Sequence, residues 1–260
     1  SAKYFKVGAE NGDEKCMFYY ASTLSKGEGV AVNKEEAAKY FKMAADKGES
    51  NAMVNYGIAL ENGEGVPVDK KESMKYYKMA SDAGQTDGMV CYALLLEKDD
   101  KKKALDLFKK AADEGNVIGM HNFARLVLSE GFCGEKKEEA NSYLKKAVDE
   151  EYAPSLVLYA SLYLNKNNDN YNENEGISNL KKAADLGDEN AKKIYQNYLE
   201  SGKVELNNVV GAVGGAGSAT NNKTKAQNSS NSNGAQNNQS SQQTSRDSND
   251  KNSSKCCNLA

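Results

Sequence analysis

The sequence predicts an all-α fold: an α-solenoid of helical hairpin repeats over residues 1–206, followed by a disordered tail over residues 207–260. Three observations predict it. The chain resembles itself at a period of 36 residues, each period holds two segments with apolar residues at helical spacing, and the composition changes sharply near Asn207.

The period is read from a run that ends in glycine. Tyr40 to Gly48 (YFKMAADKG) recurs 36 residues later as Tyr76 to Gly84 (YYKMASDAG), and Tyr4 to Gly12 is the same unit one period earlier. Later copies end at Gly115 and Gly187. The step from Gly84 to Gly115 is only 31 residues, so one repeat is five residues short, and Glu151 occupies the intermediate glycine position.

Each unit reads as two helices. In the second, Ala37, Tyr40, Phe41, Ala44 and Ala45 follow the i, i+3, i+4, i+7, i+8 stripe of a helix with one buried face. The closing glycine suits a left-handed C-cap. The first helix repeats Ala52-Met53-Val54-Asn55-Tyr56-Gly57 as residues 88–93 and again as residues 119–124. Small residues at Gly57, Ala93, Ala124 and Ala160 let paired helices approach closely. Between the helices lie Gly27-Glu28-Gly29-Val30 and Gly63-Glu64-Gly65-Val66-Pro67. Asn33 with Glu36, and Asp69 with Glu72, have the spacing of a capping box.

Composition excludes several classes of function. There are 34 basic and 37 acidic side chains, a balance that gives no sign of a nucleic-acid binder. No apolar run approaches the length of a membrane span, and no secretory signal peptide opens the chain. Opening at Ser1 inside a repeat points to an incomplete N-terminus. Cys16, Cys91 and Cys133 are widely spaced, which fits a reducing, cytoplasmic compartment, and they are expected to be small buried hydrophobes. Catalytic motifs are weak. Gly63-Glu64-Gly65 is a lone GxG between helices, no GxxxxGK[ST] occurs, and His121 is the single histidine with no nucleophile at a known spacing. No metal site, cofactor, small-molecule substrate or enzymatic activity is expected.

These features resemble Sel1-like repeats, relatives of the tetratricopeptide repeat. The resemblance rests on the Gly-x-Gly-Val loop, the Asp or Asn before the second helix, the Tyr-Phe-Lys-x-Ala-Ala-x-x-Gly run and the 36-residue period. It covers roughly residues 1–202. The third repeat departs from the pattern with Lys98-Asp99-Asp100 in place of the loop, and the fifth with residues 165–170. Stacked hairpins bury faces that none could bury alone and leave an extended surface for a partner.

Mapping the tetratricopeptide groove register onto the first helices implies a protein-binding groove lined by Phe18, Asn55, Ile58, Glu61, Leu94, Glu97, His121, Asn122, Arg125 and Ser161. Ser22, Val54, Val90 and Val157 fall on the same register. Asn55 and Asn122 occupy one equivalent position and suit hydrogen bonds to a peptide backbone. The lining is more apolar than basic, so it does not suit acidic tails.

The tail is a different polymer. Residues 207–260 hold none of the aromatic residues and are dominated by Asn, Ser and Gln, a composition that cannot offset chain entropy by burial. Lys223, Lys225, Arg246, Lys251 and Lys255 outnumber Asp247 and Asp250, so an acidic solenoid precedes a mildly basic tail. Cys257-Asn258-Leu259-Ala260 fits C-a-a-X with a final residue that favours farnesyl, and Cys256 is a candidate for palmitoylation as the second signal. The tail thus predicts a lipid anchor at the cytoplasmic face of a membrane.

The combined reading is a non-catalytic adaptor that recruits or activates a partner enzyme. It resembles fungal chitin synthase activators, which join Sel1-like repeats to a prenylation motif. The alternatives are the scaffold portion of a larger Sel1-repeat protein kinase and an adaptor of endoplasmic-reticulum-associated degradation.

Overall fold

The computed structural model describes residues 2–168 and 171–204. Among them the chain forms twelve α-helices and no strand. They are α1 (Ala2–Glu10), α2 (Glu14–Lys26), α3 (Lys34–Asp46), α4 (Ser50–Asn62), α5 (Lys70–Asp82) and α6 (Thr86–Leu96), then α7 (Lys101–Asp113), α8 (Val117–Ser129), α9 (Glu135–Asp149), α10 (Ala153–Leu164), α11 (Glu173–Asp185) and α12 (Glu189–Ser201). The even helices are the first helices of the repeats and the odd ones the second. The tail, the domain boundary after residue 206 and the lipidation residues Cys256 and Cys257 lie outside the described residues.

Helix starts follow from side-chain chemistry. Asp13, Asn33, Asp69, Asp100, Asn116, Asn172 and Asp188 each accept a hydrogen bond from the backbone N–H three residues on, satisfying one of the donors that a helix start leaves free. Only half of the expected capping box forms. The Glu36 backbone N–H donates to Asn33 Oδ1 at 3.0 Å, but the Asn33 backbone N–H donates to Leu24 O at 3.0 Å, and it is the Asn33 side-chain amide that donates to Glu36 Oε2, at 3.2 Å. The Asp69 backbone N–H likewise donates to Leu60 O at 2.9 Å. The cap residue therefore ties its loop back onto the preceding helix.

Helix ends use the predicted glycines, one residue beyond the cap in the odd helices. Gly48, Gly84, Gly115 and Gly187 have φ of 84–99°. Glu151 stands in this position with φ 53°, the one non-glycine residue with positive φ among the described residues. A side chain in that region costs about 1–2 kcal/mol. Glu151→Gly is accordingly expected to raise the unfolding free energy by about 1 kcal/mol, after the greater flexibility of unfolded glycine is counted. Urea denaturation of the two proteins checks this.

Packing is serial. Each helix packs mainly on its neighbours in sequence, and α4, α6, α8 and α10 also touch one another in succession. The even helices thus share one face of the stack. Within each hairpin the close approach predicted for small residues is present. A Cβ at Gly57 would lie 2.5 Å from the Tyr77 ring, and Ala93, Ala124 and Ala160 are fully buried. The residue before each is aromatic, giving Tyr20-Ala21, Tyr56-Gly57, Tyr92-Ala93, Phe123-Ala124 and Tyr159-Ala160. In three hairpins that aromatic ring meets, edge to face, a tyrosine twenty residues on: Tyr20 with Tyr40 at 5.0 Å, Tyr56 with Tyr76 at 4.8 Å, and Phe123 with Tyr143 at 5.6 Å.

A second bond type joins consecutive odd helices. The Tyr76 hydroxyl donates to Asp46 at 3.0 Å while Lys42 grips the same carboxylate at 2.7 Å. Tyr143 and Lys109 hold Asp113 in the same manner. Both carboxyls are kept below the usual carboxylate range, by the lysine first at Asp46 and by the tyrosine hydroxyl first at Asp113. In the short repeat Leu107 replaces the tyrosine, and Asp82 is paired with Lys78 alone at 2.6 Å.

One expectation about cysteine is corrected. Cys16 and Cys91 are half-buried, but Cys133 is exposed in the turn between α8 and α9. Cys133 lies in a turn, outside the helical stripes whose periodicity buries side chains.

Candidate functional site

Nine of the ten residues of the implied groove fall on even helices, and the tenth, Glu97, caps the C-terminus of α6. Their accessibility differs. Phe18, Asn55, Ile58, Glu61, Leu94, Glu97, Arg125 and Ser161 are partly accessible, whereas His121 and Asn122 are each 3% exposed. Val54, Val90 and Val157 are buried.

The polar members are engaged within the protein. Asn55 donates to Asn51 O at 2.8 Å, and Asn122 donates to Ile118 O at 2.9 Å. The two equivalent asparagines therefore each return an amide hydrogen to their own helix. Asn122 Oδ1 accepts from Arg125 Nε at 3.3 Å. The Arg125 guanidinium closes a two-pronged pair with Glu97, at 3.0 and 2.5 Å, that crosses from α8 to α6. A bidentate pair fixes both side chains more firmly than a single contact does. Glu61 accepts from the Tyr77 hydroxyl at 2.8 Å, and the Ser161 hydroxyl donates to Leu158 O at 2.6 Å.

His121 is a packing residue in its geometry. Its Nδ1 shares a 3.0 Å hydrogen bond with Ser155 Oγ, and its ring meets Tyr152 edge-on at 5.4 Å. Nε2 is buried with no hydrogen-bond partner among the described residues. Burial first, and then the positive charge of Arg125, push the imidazole down to about 3. Ser155 is fully buried, so no substrate reaches this pair. Burial likewise pushes the Cys91 thiol up to about 12, which leaves it unreactive. Among the described residues no cluster of His, Cys, Asp or Glu is placed to hold a metal ion.

Asn55 and Ile58 also border a shallow cavity of about 50 Å³ between the first two complete hairpins. Lys34 and Glu64 stand at its rim, 3.5 Å apart. The accessible part of the even-helix face is thus apolar at Phe18, Ile58 and Leu94 and polar at the Glu97–Arg125 pair. Groove register alone did not disclose that pair. Its two ends are 28 residues apart, a spacing that arises only because the intervening repeat is short.

The Sel1 repeat family model matches residues 14–49, 50–85, 89–116 and 159–188. The chain belongs to the Sel1 repeat family. Sel1-repeat proteins act as protein-interaction scaffolds. The family model leaves α8 and α9 unmatched, although they form a helical hairpin like the others. No curated protein matches this Sel1-repeat chain in sequence. Among solved structures it is similar to a Sel1 repeat protein from Oxalobacter formigenes, at 19% identity and TM-score 0.65, covering 82% of this chain and 96% of that one. It is also similar to the immunity protein PA5088 from Pseudomonas aeruginosa, at 18% identity and TM-score 0.55, covering 75% and 74% of the two chains. At these identities the likeness is one of fold. No helix among the described residues is long and apolar enough to cross a membrane.

Proposed function

We propose that this Sel1-repeat chain is a non-catalytic adaptor whose even-helix face binds an extended segment of a protein partner, which it recruits or activates. The observation that carries this reading is the pairing of accessible apolar side chains with a fixed polar group on one face. Ile58 and Leu94 occupy the same position in α4 and α6, both partly accessible, and Arg125 stands at that position in α8, held by Glu97. Apolar anchors beside an oriented guanidinium suit a segment with alternating apolar and acceptor groups. The pair itself neutralises the charge, so a run of acidic residues is not favoured.

The test is capture of partners by the wild type beside Ile58→Glu with Leu94→Glu, after circular dichroism has shown equal helix content. Loss of the captured proteins from the double variant, and their retention by a Lys39→Glu, Lys75→Glu control on the odd helices, is the expected result. Retention by both variants would move the site off the even-helix face.

The tether belongs to the same proposal. Cys257 in a C-a-a-X sequence, with Cys256 beside it, supports prenylation and a second acylation at the cytoplasmic face of a membrane. Fractionation should place the wild type partly with membranes, and Cys257→Ser should shift it to the soluble fraction. Equal partition of the two would reject the anchor.

A further inference from the structure

The cavity beside Ile58 has a cause in the sequence of the odd helices. Lys34, Ala37, Ala38 and Phe41 stand at i, i+3, i+4 and i+7 of α3, on the one helix face that lines it. The residue equivalent to Ala37 is small in every later odd helix, as Ser73, Ala104, Ala140 and Gly176. Position 38 is different. Its counterparts in those helices are Met74, Leu105, Asn141 and Ile177, all larger than alanine. The three aliphatic ones pack in or against the core. At Ala38 that side chain is missing, and a cavity of about 50 Å³ stands there with Ile58 of α4 on its wall.

Size and lining select an occupant. At about 10–15 Å³ for each water-sized group there is room for about three to five of them, which is the branched end of a valine or leucine and too little for an aromatic ring. The methyl groups of Ala37 and Ala38, the Phe41 ring and the Ile58 side chain supply apolar walls. Charge at the mouth is already balanced. Lys34 and Glu64 face each other across the rim at 3.5 Å, so an ionised side chain finds no uncompensated partner there, whereas an uncharged one leaves the pair undisturbed.

We infer that this cavity is a specificity pocket of the even-helix face, taking a valine or leucine side chain from the extended segment bound there. The inference rests on the adaptor reading proposed above. Later hairpins supply an aliphatic side chain of their own at this place, and in the first complete hairpin it is left to the partner. Ala38 thereby sets the preference. Ile58 belongs both to the row of accessible anchors and to the pocket wall, so the pocket fixes where along the face the segment sits.

The experiment selects peptides from a random linear library on the full chain and titrates them, fluorescently labelled, against protein variants. A fixed valine or leucine is expected, and changing it to glycine weakens binding to the wild type by at least about tenfold. Ala38→Met restores the residue of the next repeat. On that variant the selected peptide binds at least about tenfold more weakly than on the wild type, and the change to glycine costs less than about twofold. Circular dichroism and the thermal midpoint check that it folds. Should it lose helix content, Met74→Ala decides instead: it opens the equivalent place one repeat on, and peptides reselected on it should carry a second branched aliphatic residue. Selected peptides without a fixed valine or leucine, a glycine change that costs the wild type and Ala38→Met equally, or no second residue where Met74→Ala decides, each overturn the pocket while leaving the face as the binding surface. Peptides that bind the Ile58→Glu, Leu94→Glu protein as well as the wild type, or no selected peptide at all, overturn the adaptor reading and the pocket with it.

Discussion

Gly65→Ala is expected to cost about 3 kcal/mol or more of stability, while Gly29→Ala, in the same Gly-Glu-Gly-Val sequence, costs only about 1–2 kcal/mol. Both glycines have φ 76°, a region that strains any side chain, so both substitutions carry that penalty. They differ in what lies beyond the missing side chain. A Cβ at Gly65 would stand 2.1 Å from Lys34 O and 2.6 Å from the Glu35 amide nitrogen, whereas one at Gly29 meets nothing within 4 Å. The Lys34 and Glu35 atoms are backbone at the start of α3, and they cannot turn aside as a flexible side chain can. Relief requires the second hairpin to move away from the first, which loosens the Lys34–Glu64 contact and the packing behind it. Urea denaturation of both variants separates the two contributions. Equal losses would mean that conformation alone matters and that the loop does not bear on the neighbouring repeat.

Acid should weaken the fold through one residue before any carboxylate is involved. His121 is the single histidine, and in the folded protein burial holds its imidazole near 3, against 6.5 for a free side chain. The unfolded chain therefore binds a proton that the folded chain refuses once the pH drops below 6.5. Stability is fully present above that value and declines as pH falls toward 3, at up to about 1.4 kcal/mol per pH unit, or about 2 kcal/mol by pH 5. Asp46 and Asp113 add their own losses only at lower pH, because their folded carboxyls titrate below the usual range. His121→Leu removes the ring nitrogens and should flatten the stability profile between pH 7 and pH 5. Its absolute stability at pH 7 reflects the separate loss of the Ser155 hydrogen bond. A wild-type profile as flat as that of the variant would show that the imidazole is reached by solvent.

The fold was legible because its determinants are local and recur. Cap residues such as Asn33 and Asp69, the helix-ending glycines and the small residues after each even-helix aromatic act within a few positions, so a period in sequence becomes a period in structure. Relationships between repeats were harder to read. Gly29 and Gly65 sit in identical four-residue strings, yet only Gly65 has a preceding odd-helix start pressed against it. The Glu97–Arg125 pair and the Tyr76–Asp46 bond join residues 28 and 30 positions apart, and no single-helix pattern announces either. For the candidate site, register placed ten residues on or directly after the even helices but did not distinguish the accessible Ile58 and Leu94 from the buried His121 and Asn122. That distinction depends on how each helix packs against its neighbours, which register within one helix does not carry.

Serial packing has a consequence for how the chain acquires and loses its structure. When each helix rests mainly on the ones beside it in sequence, few distant segments must meet before contacts become favourable, and contact order is low. Any hairpin can act as a nucleus, with order spreading outward in both directions. The buried side chains nevertheless divide into three clusters, and the last of them, built around Leu156, Leu180 and Ile194, is the smallest. Fraying thus begins most easily at α11 and α12, and the ten helices before them keep enough mutual contact to stand while that end opens and closes.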